Sequence, residues 1–368
     1  MDLTATTTDL ASAAADVARL LPTRVHDPVL AGLVLRAGGG GVELAGSDRE
    51  HAVRLTRAAT VHAEGAVVVP AKPLADTLRG LDDPQVRLVV EGTRLAVRTS
   101  RARFALPLLD LASHPGVPAL PAAVGVLPAA TLTAALAPVS SAASKDDALP
   151  VFTDVRMHGV PGGRLELIAT DRYRMAFASL PWAATGELDV LAPAVVLAEA
   201  SRQPGRGADV TVHADADRIA LSWAGGSVST ALLAAPFPDD RVRKLLEAVI
   251  DSTVVVEADV LAGAVRRAVP YAGPHGSVTI QVEDGELRVR GSDPQSGESE
   301  ESVKATIDGN RVTKSFQARY LSDALRAFSG RQVELKIQDG LRSTVLTSRP
   351  GEDGVELTYL VVPLRTIS

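Results

Sequence analysis

The chain has 368 residues, no cysteine, 3% aromatic residues, 22% charged residues and a formal net charge of −6. That length exceeds what one hydrophobic core usually serves, so two or three domains with largely aliphatic interiors are expected. The lack of cysteine excludes a disulfide framework, a thiolate zinc site and a cysteine nucleophile, and the acidic balance excludes a protein that coats nucleic acid through general basicity.

The first segment, MDLTATTTDLASAAAD, has no basic stretch followed by an apolar run, so no secretory signal is expected. No apolar run anywhere nears membrane-spanning length, which points to a soluble, cytoplasmic protein. Leu10, Ala14, Val17 and Leu21 then recur at helical spacing with Asp9 and Asp16 off the stripe, predicting an amphipathic helix within 8–24. GGVELAGSDREHAVRL (40–55) alternates, reaches Ser47-Asp48 and alternates again, which reads as a hairpin turned by an aspartate. VVVPAKPLADTLRGL (67–81) runs from a strand into a helix, SRARFAL (100–106) alternates as a strand, and HPGVPALPAAVGVLP (114–128) reads as a linker.

The same sequence of elements then returns twice. A helical stretch recurs at 128–144 and 257–272, the Asp-turned hairpin at 163–178 and 285–300, and the strand-to-helix run at 190–204 and 314–328. The turn aspartates Asp48, Asp171 and Asp293 and the helix leucines Leu74, Leu197 and Leu321 both repeat every 122–124 residues. Two unrelated series with one period indicate a module present three times. Each copy reads as helix, hairpin, strand, helix, hairpin and closing strands: an α+β fold of three domains, 1–122, 123–246 and 247–368.

Motifs for chemistry are missing. There is no Gly-Lys-Ser or Gly-Lys-Thr loop, no GxGxxG, no HExxH and no GxSxG, and the seven histidines are scattered. No catalytic residue, metal or cofactor is expected. Asp171 could serve as a base, but its counterparts share its local context, so a turn former is the simpler reading. Charge is more informative. The six helical stretches (8–24, 69–81, 127–144, 191–206, 257–273 and 317–331) hold 11 basic and 7 acidic residues, a surplus of +4 on a chain of net −6. Basic helices on an acidic protein suit a surface that faces phosphate.

With LPVFTDVR (149–156), ATDRYRMA (169–176), FPDDR (237–241) and YLVVPLR (359–365), the chain resembles the beta subunit of bacterial DNA polymerase III, the sliding clamp, in its actinobacterial form. The resemblance implies a head-to-tail homodimer ring, helices lining the hole and sheets outside. Double-stranded DNA threads the hole without being read, and the polymerase catalytic subunit, the clamp loader and other clamp-binding proteins are tethered through a short peptide. It places a peptide pocket at Phe152, Thr170, Arg172, Tyr173, Arg174, Met175, Pro238, Leu360, Val362, Pro363, Leu364 and Arg365. Met175, Leu360, Val362, Pro363 and Leu364 would form an apolar floor, and Arg174 and Arg365 would meet carboxylates. Arg24 matches a DNA-contacting arginine of the family, and Lys72, Arg79, Arg202, Arg206, Arg266, Arg267 and Arg326 follow as a class. Ring closure would pair an edge bearing Arg101, Arg103, Phe104 and Leu106 with one bearing Glu298, Glu300 and Glu301. Arg172 stands where glycine is frequent in the family, although actinobacterial members also carry arginine there; Asp154 stands where glycine is usual, and FPDDRVRKLL is longer than the family pattern, which leaves Leu245 unassigned. Such departures suit an alternative: a duplicated clamp with altered inhibitor or partner binding, as in self-resistance to a clamp-targeting antibiotic.

Overall fold

The computed structural model describes residues 1–23, 26–205, 207–238, 250–351 and 353–365. One module occurs three times. It starts with a strand that helical periodicity could not reveal: Asp2–Thr6, Ala123–Pro128 and Ser252–Glu257. A helix follows at once (Thr7–Leu20, Ala129–Ser141, Ala258–Ala268). Three antiparallel strands come next, then a short strand (Thr60–Ala63, Ala183–Ala184, Thr306–Gly309), a strand leading into a second helix (Ala71–Arg79, Ala194–Ala200, Ala318–Arg326) and the closing strands. The helices are shorter than the sequence stretches suggested. Helix Thr7–Leu20 ends just before Pro22, and helix Ala258–Ala268 gives way to a 3₁₀ turn at Val269–Tyr271 that contains Pro270, as expected where proline removes a helical donor.

The helices bury the predicted stripes. Leu10, Ala13, Ala14, Val17 and Leu20 face inward on the first, and Ala318, Leu321, Ala324 and Leu325 on the last. Asp9 in the first turn and Arg19 in the last complement the dipole of helix Thr7–Leu20. The core is aliphatic, and Tyr359 and Phe328 are the aromatic residues among its largest fully buried side chains.

The turn aspartates do the same work in each module. Asp48 Oδ1 accepts the backbone N–H groups of Glu50 (3.1 Å) and His51 (2.6 Å). Asp171 Oδ1 accepts those of Tyr173 and Arg174, both at 3.0 Å, and Asp293 Oδ1 those of Gln295 (3.0 Å) and Ser296 (2.9 Å). Arg49 (φ 85°) and Arg172 (φ 76°), each just after its aspartate, are the non-glycine residues held left-handed among the described residues. In the third copy Pro294 follows the aspartate, and the left-handed residue moves to Gly297 (φ 92°).

Contacts gather the chain into two units: 1–129 with 183–187 and 196–232, and 130–182 with 188–195 and 233–368. Their limits cut through the middle repeat because sheets run on from one repeat into the next. In the first unit, strand Gly226–Ala231 of the middle repeat pairs with His51–Ala58 of the first, from Gly226 opposite Leu55 to Thr230 opposite His51, inside a nine-stranded sheet. In the second, Arg174–Pro181 pairs with Glu356–Val361, again inside nine strands. The corresponding strands of the remaining junction are unpaired on one side among the described residues. Arg103–Pro107 is outermost in a five-stranded sheet of the first unit, and Gly297–Lys304 is outermost in a four-stranded sheet of the second.

Candidate functional site

The junction between Arg174–Pro181 and Glu356–Val361 assembles most of the expected pocket. Arg174 lies opposite Val361 and Met175 opposite Leu360, and the Val362 N–H donates to Tyr173 O at 2.9 Å, carrying the pairing past the strand end. Leu364 N–H donates to Ser315 O at 2.7 Å, which docks the C-terminal segment. Alternation turns Met175 and Leu360 inward, where both are 1% exposed and pack with Ile168 and Val345. They therefore lie beneath the expected floor, and the accessible layer is the half-buried Val362, Phe177 and Phe237 above them. Pro363 is buried, Leu364 half-buried and Arg365 exposed. Pro238 is half-buried beside Phe237, an aromatic that the sequence reading passed over although it precedes the proline directly.

Thr170 acts on the turn itself: its Oγ1 accepts the Arg172 N–H at 3.1 Å and donates to Arg174 O at 2.7 Å. Arg174, expected to meet a ligand carboxylate, is already engaged and only 7% exposed. Its Nε donates to Asp171 Oδ2 at 3.0 Å and its Nη1 to Asp323 Oδ2 at 2.5 Å, with the guanidinium 4.7 Å from the Tyr320 ring centre. A buried guanidinium is tolerated only when its donors are matched, which is the physical reason it is not free. Burial acts against its charge, but Tyr359 and the carboxylates of Asp323 and Asp171 outweigh it and raise its pKa.

Around this pair stands a stack that sequence reasoning missed. Tyr173 and Tyr320 are parallel to within 12°, with ring centres 6.0 Å apart. Arg172 lies 6.0 Å from both the Phe152 and the Tyr173 rings, and Arg319 lies 4.6 Å from Tyr320. Tyr320 and Arg319 open a helix about 150 residues further along, and that separation left no local signal. Arg172, Tyr173, Arg319 and Tyr320 border a cleft of about 510 Å³ that loop 143–146 also lines.

Asp154 is 4% exposed, and burial pushes its carboxyl up to about 6 against the opposing hydrogen bond from Thr153 at 3.1 Å. A raised carboxyl stabilises the fold fully below its unfolded value near 4. That stability is lost as pH climbs to about 6, by up to about 3 kcal/mol. Asp154→Asn should therefore gain about 1–2 kcal/mol over the parent at pH 7.5 and little at pH 4. Urea midpoints at the two pH values test this, and an identical offset at both would refute it.

The basic helix residues are exposed, but most are matched within the chain. Asp76 takes Lys72 and Arg79 (2.9 and 3.1 Å), Glu199 takes Arg202 (3.8 Å) and Arg19 (2.6 Å), Asp323 takes Arg326 (2.9 Å), and Glu301 takes Arg267 (2.6 Å). Arg266 is exposed, with no ion pair among the described residues. Arg24, Arg206 and Leu245 lie outside the described residues. On the two open edges, Phe104 is 42% exposed and Leu106 half-buried. Arg101 is not on the strand as expected but in the turn before it, where Thr99 Oγ1 accepts its N–H at 3.3 Å. Arg103 pairs with Glu91, and Glu300 with Arg290 and Arg288, so of the three glutamates Glu298 lacks a cation among the described residues. Glu301 points to the helix side of its sheet, through its pair with Arg267.

Among the described residues no helix is long and apolar enough to cross a membrane, and no group of three or more His, Asp or Glu side chains could hold a metal ion. A module repeated three times, whose sheets continue between copies, defines a clamp-type protein. The sequence matches family models for the N-terminal domain (1–118), central domain (126–239) and C-terminal domain (243–365) of the DNA polymerase III beta subunit. It is 30% identical to the beta sliding clamp of Streptomyces coelicolor over 97% of each chain, and 28% identical to the beta sliding clamp homolog GriR of Streptomyces muensis over 95% of each. Its fold matches the beta subunit of Thermotoga maritima (TM-score 0.87, 22% identity, 99% of each chain). It also matches a Pseudomonas aeruginosa sliding clamp bound to griselimycin (TM-score 0.86, 24% identity, all of each chain). The chain belongs to the DNA polymerase III beta subunit family, the bacterial sliding clamps.

Proposed function

We propose that two copies of this chain close head to tail around duplex DNA and act as a non-catalytic, cytoplasmic processivity factor. The ring tethers the polymerase catalytic subunit, the clamp loader and other partners by a peptide held at the Met175–Leu360 junction. The carrying observation is the open pair of edges. Two of the module's three sheet junctions are made within the chain, and the third has one half at Arg103–Pro107 and the other at Gly297–Lys304. A second copy completes both, in a heterologous contact that closes by rotation. On a division into three domains, 1–122, 123–246 and 247–368, the two open strands belong to the first and the third. Exposed pairs such as Glu300–Arg290 are worth about 0–1 kcal/mol each, so they can exchange for pairs across the interface with Arg101 and Arg103. The helix cations Lys72, Arg79, Arg202, Arg266, Arg267 and Arg326 face the DNA. Their partial neutralisation favours a loose, sliding hold over a fixed one.

The test loads the protein onto nicked circular duplex with a bacterial clamp loader and then cuts the circle. An encircling ring withstands high salt on the circle and leaves once ends exist, whereas ordinary phosphate binding weakens with salt on both. Arg101→Glu with Arg103→Glu should shorten retention on the circle. Equal salt-sensitive loss from both DNAs would refute encirclement. A second reading, a duplicated clamp with altered inhibitor binding, draws support from the likeness to GriR and from Arg172, whose side chain lies over Phe152 at the pocket lip. On that reading griselimycin binds the chain more weakly than it binds a clamp with glycine at this position.

A further inference from the structure

We propose that Lys314 positions Leu364: its buried ammonium is a strut between the two sheets across which segment 362–364 is stretched. This rests on the peptide-socket reading above.

The segment passes from one sheet to the other. Val362 N–H donates to Tyr173 O at 2.9 Å, at the end of strand Arg174–Pro181 in the nine-stranded sheet. Leu364 N–H donates to Ser315 O at 2.7 Å, on Thr313–Gln317, an outermost strand of the four-stranded sheet. The gap between these two anchors sets where the Leu364 side chain stands relative to Val362. Lys314 is the neighbour of Ser315. It is 4% exposed, and its Nζ donates to Gly340 O at 2.6 Å and to Arg342 O at 2.7 Å. Both acceptors lie in the turn 338–343, which joins strands Gln332–Ile337 and Thr344–Thr347 of the nine-stranded sheet. Thr344, the first residue after that turn, lies opposite Val361, the residue before Val362. One ammonium therefore spans the same gap that the segment crosses, next to one anchor and one strand pairing away from the other.

Comparison of the modules shows that packing alone does not require a lysine here. The same backbone bond recurs where the chain leaves each of the other two modules: Leu109 N–H to Val68 O at 2.8 Å, and Leu233 N–H to Leu191 O at 3.1 Å. The counterparts of Lys314 beside those acceptors are Val67 and Val190, both half-buried. The counterparts of turn 338–343 are shorter, 92–93 and 215–217. The third module, whose segment forms the socket wall, has instead a long turn with two carbonyls directed at a buried cation. Such a cation is costly unless it is matched. Burial lowers the pKa of Lys314, and Asp339 and Asp251 oppose that shift. A methionine would fill the space but leave Gly340 O and Arg342 O without this donor. The turn can then drift from strand Thr313–Gln317, and Leu364 with it.

Calorimetric titration with the peptide Gln-Leu-Asp-Leu-Phe tests this on Lys314→Met and on Lys314→Val, which installs the residue of the other modules. Each should weaken binding about three- to tenfold, and the Leu364 amide should exchange with solvent about tenfold faster than in the parent. The deciding measurement is the cycle with Leu364→Ala. If Lys314 acts by placing Leu364, Lys314→Met should change affinity less than about twofold once that side chain is gone. A general loosening of the module would lower affinity by the same factor in both backgrounds, and that result overturns the proposal. Parent-like affinity in both lysine variants also overturns it and leaves the socket standing. So does failure of both variants to fold, which assigns Lys314 to the stability of its module. If the parent itself does not bind the peptide, the socket reading falls, and the positioning role falls with it.

Discussion

Replacing Arg174 with alanine is expected to destabilise the unit that holds the socket by about 3–5 kcal/mol, the usual cost of removing one member of a buried ion pair. Arg174 is 7% exposed, Asp171 and Asp323 would lose the one cation they share, and Tyr320 would lose the guanidinium above it. Asp323 would keep Arg326, whereas Asp171 would keep only its turn hydrogen bonds. A chain of several domains need not unfold in one step, so a local readout is preferable. The Val362 amide, bonded to Tyr173 O just beside Arg174, should exchange with solvent at least 100-fold faster in the variant, the equivalent of about 3 kcal/mol. Asp323→Asn should cost much less in the Arg174→Ala background than in the parent, since the shared partner is gone. Equal costs in the two backgrounds would show that the residues do not act together.

That network marks where the sequence stops being legible. The repeat was readable because both of its signals are local: an aspartate that binds the backbone two and three residues ahead, and leucines at helical spacing. Asp48, Asp171 and Asp293 form the same turn in the structure, and Leu74, Leu197 and Leu321 are all buried in their helices. The strand before each first helix was missed because Asp2–Thr6 runs into its helix with no turn residue between. The pocket residues were placed together by resemblance, but their roles depended on contacts across the fold. Asp323 is 149 residues from Arg174, and nothing near RYRM announces that its second arginine is internal while its first is free. Likewise the acidic edge looked bare until folding brought Arg267 to Glu301 and Arg290 to Glu300.

The same distinction separates two residues that the resemblance treats alike. Leu364→Ala should weaken binding of the Gln-Leu-Asp-Leu-Phe peptide at least tenfold while changing stability by less than about 1 kcal/mol, because Leu364 is only half-buried and its backbone bond to Ser315 survives. Met175→Ala should lower stability by about 2–5 kcal/mol, since Met175 is 1% exposed and packs on Ile168, Val345 and Leu360, so truncation leaves a cavity. Its effect on the peptide would be indirect, through settling of Val362 and Phe237 into that cavity. Met175→Leu, nearly equal in volume, should restore both stability and binding, which a residue acting through direct ligand contact would not require. Calorimetric titration and urea unfolding of the three variants measure the split. If Leu364→Ala binds the peptide as the parent does, the socket does not lie over this junction. If Met175→Ala weakens binding with no loss of stability, Met175 is a surface contact and the strand register above it must differ.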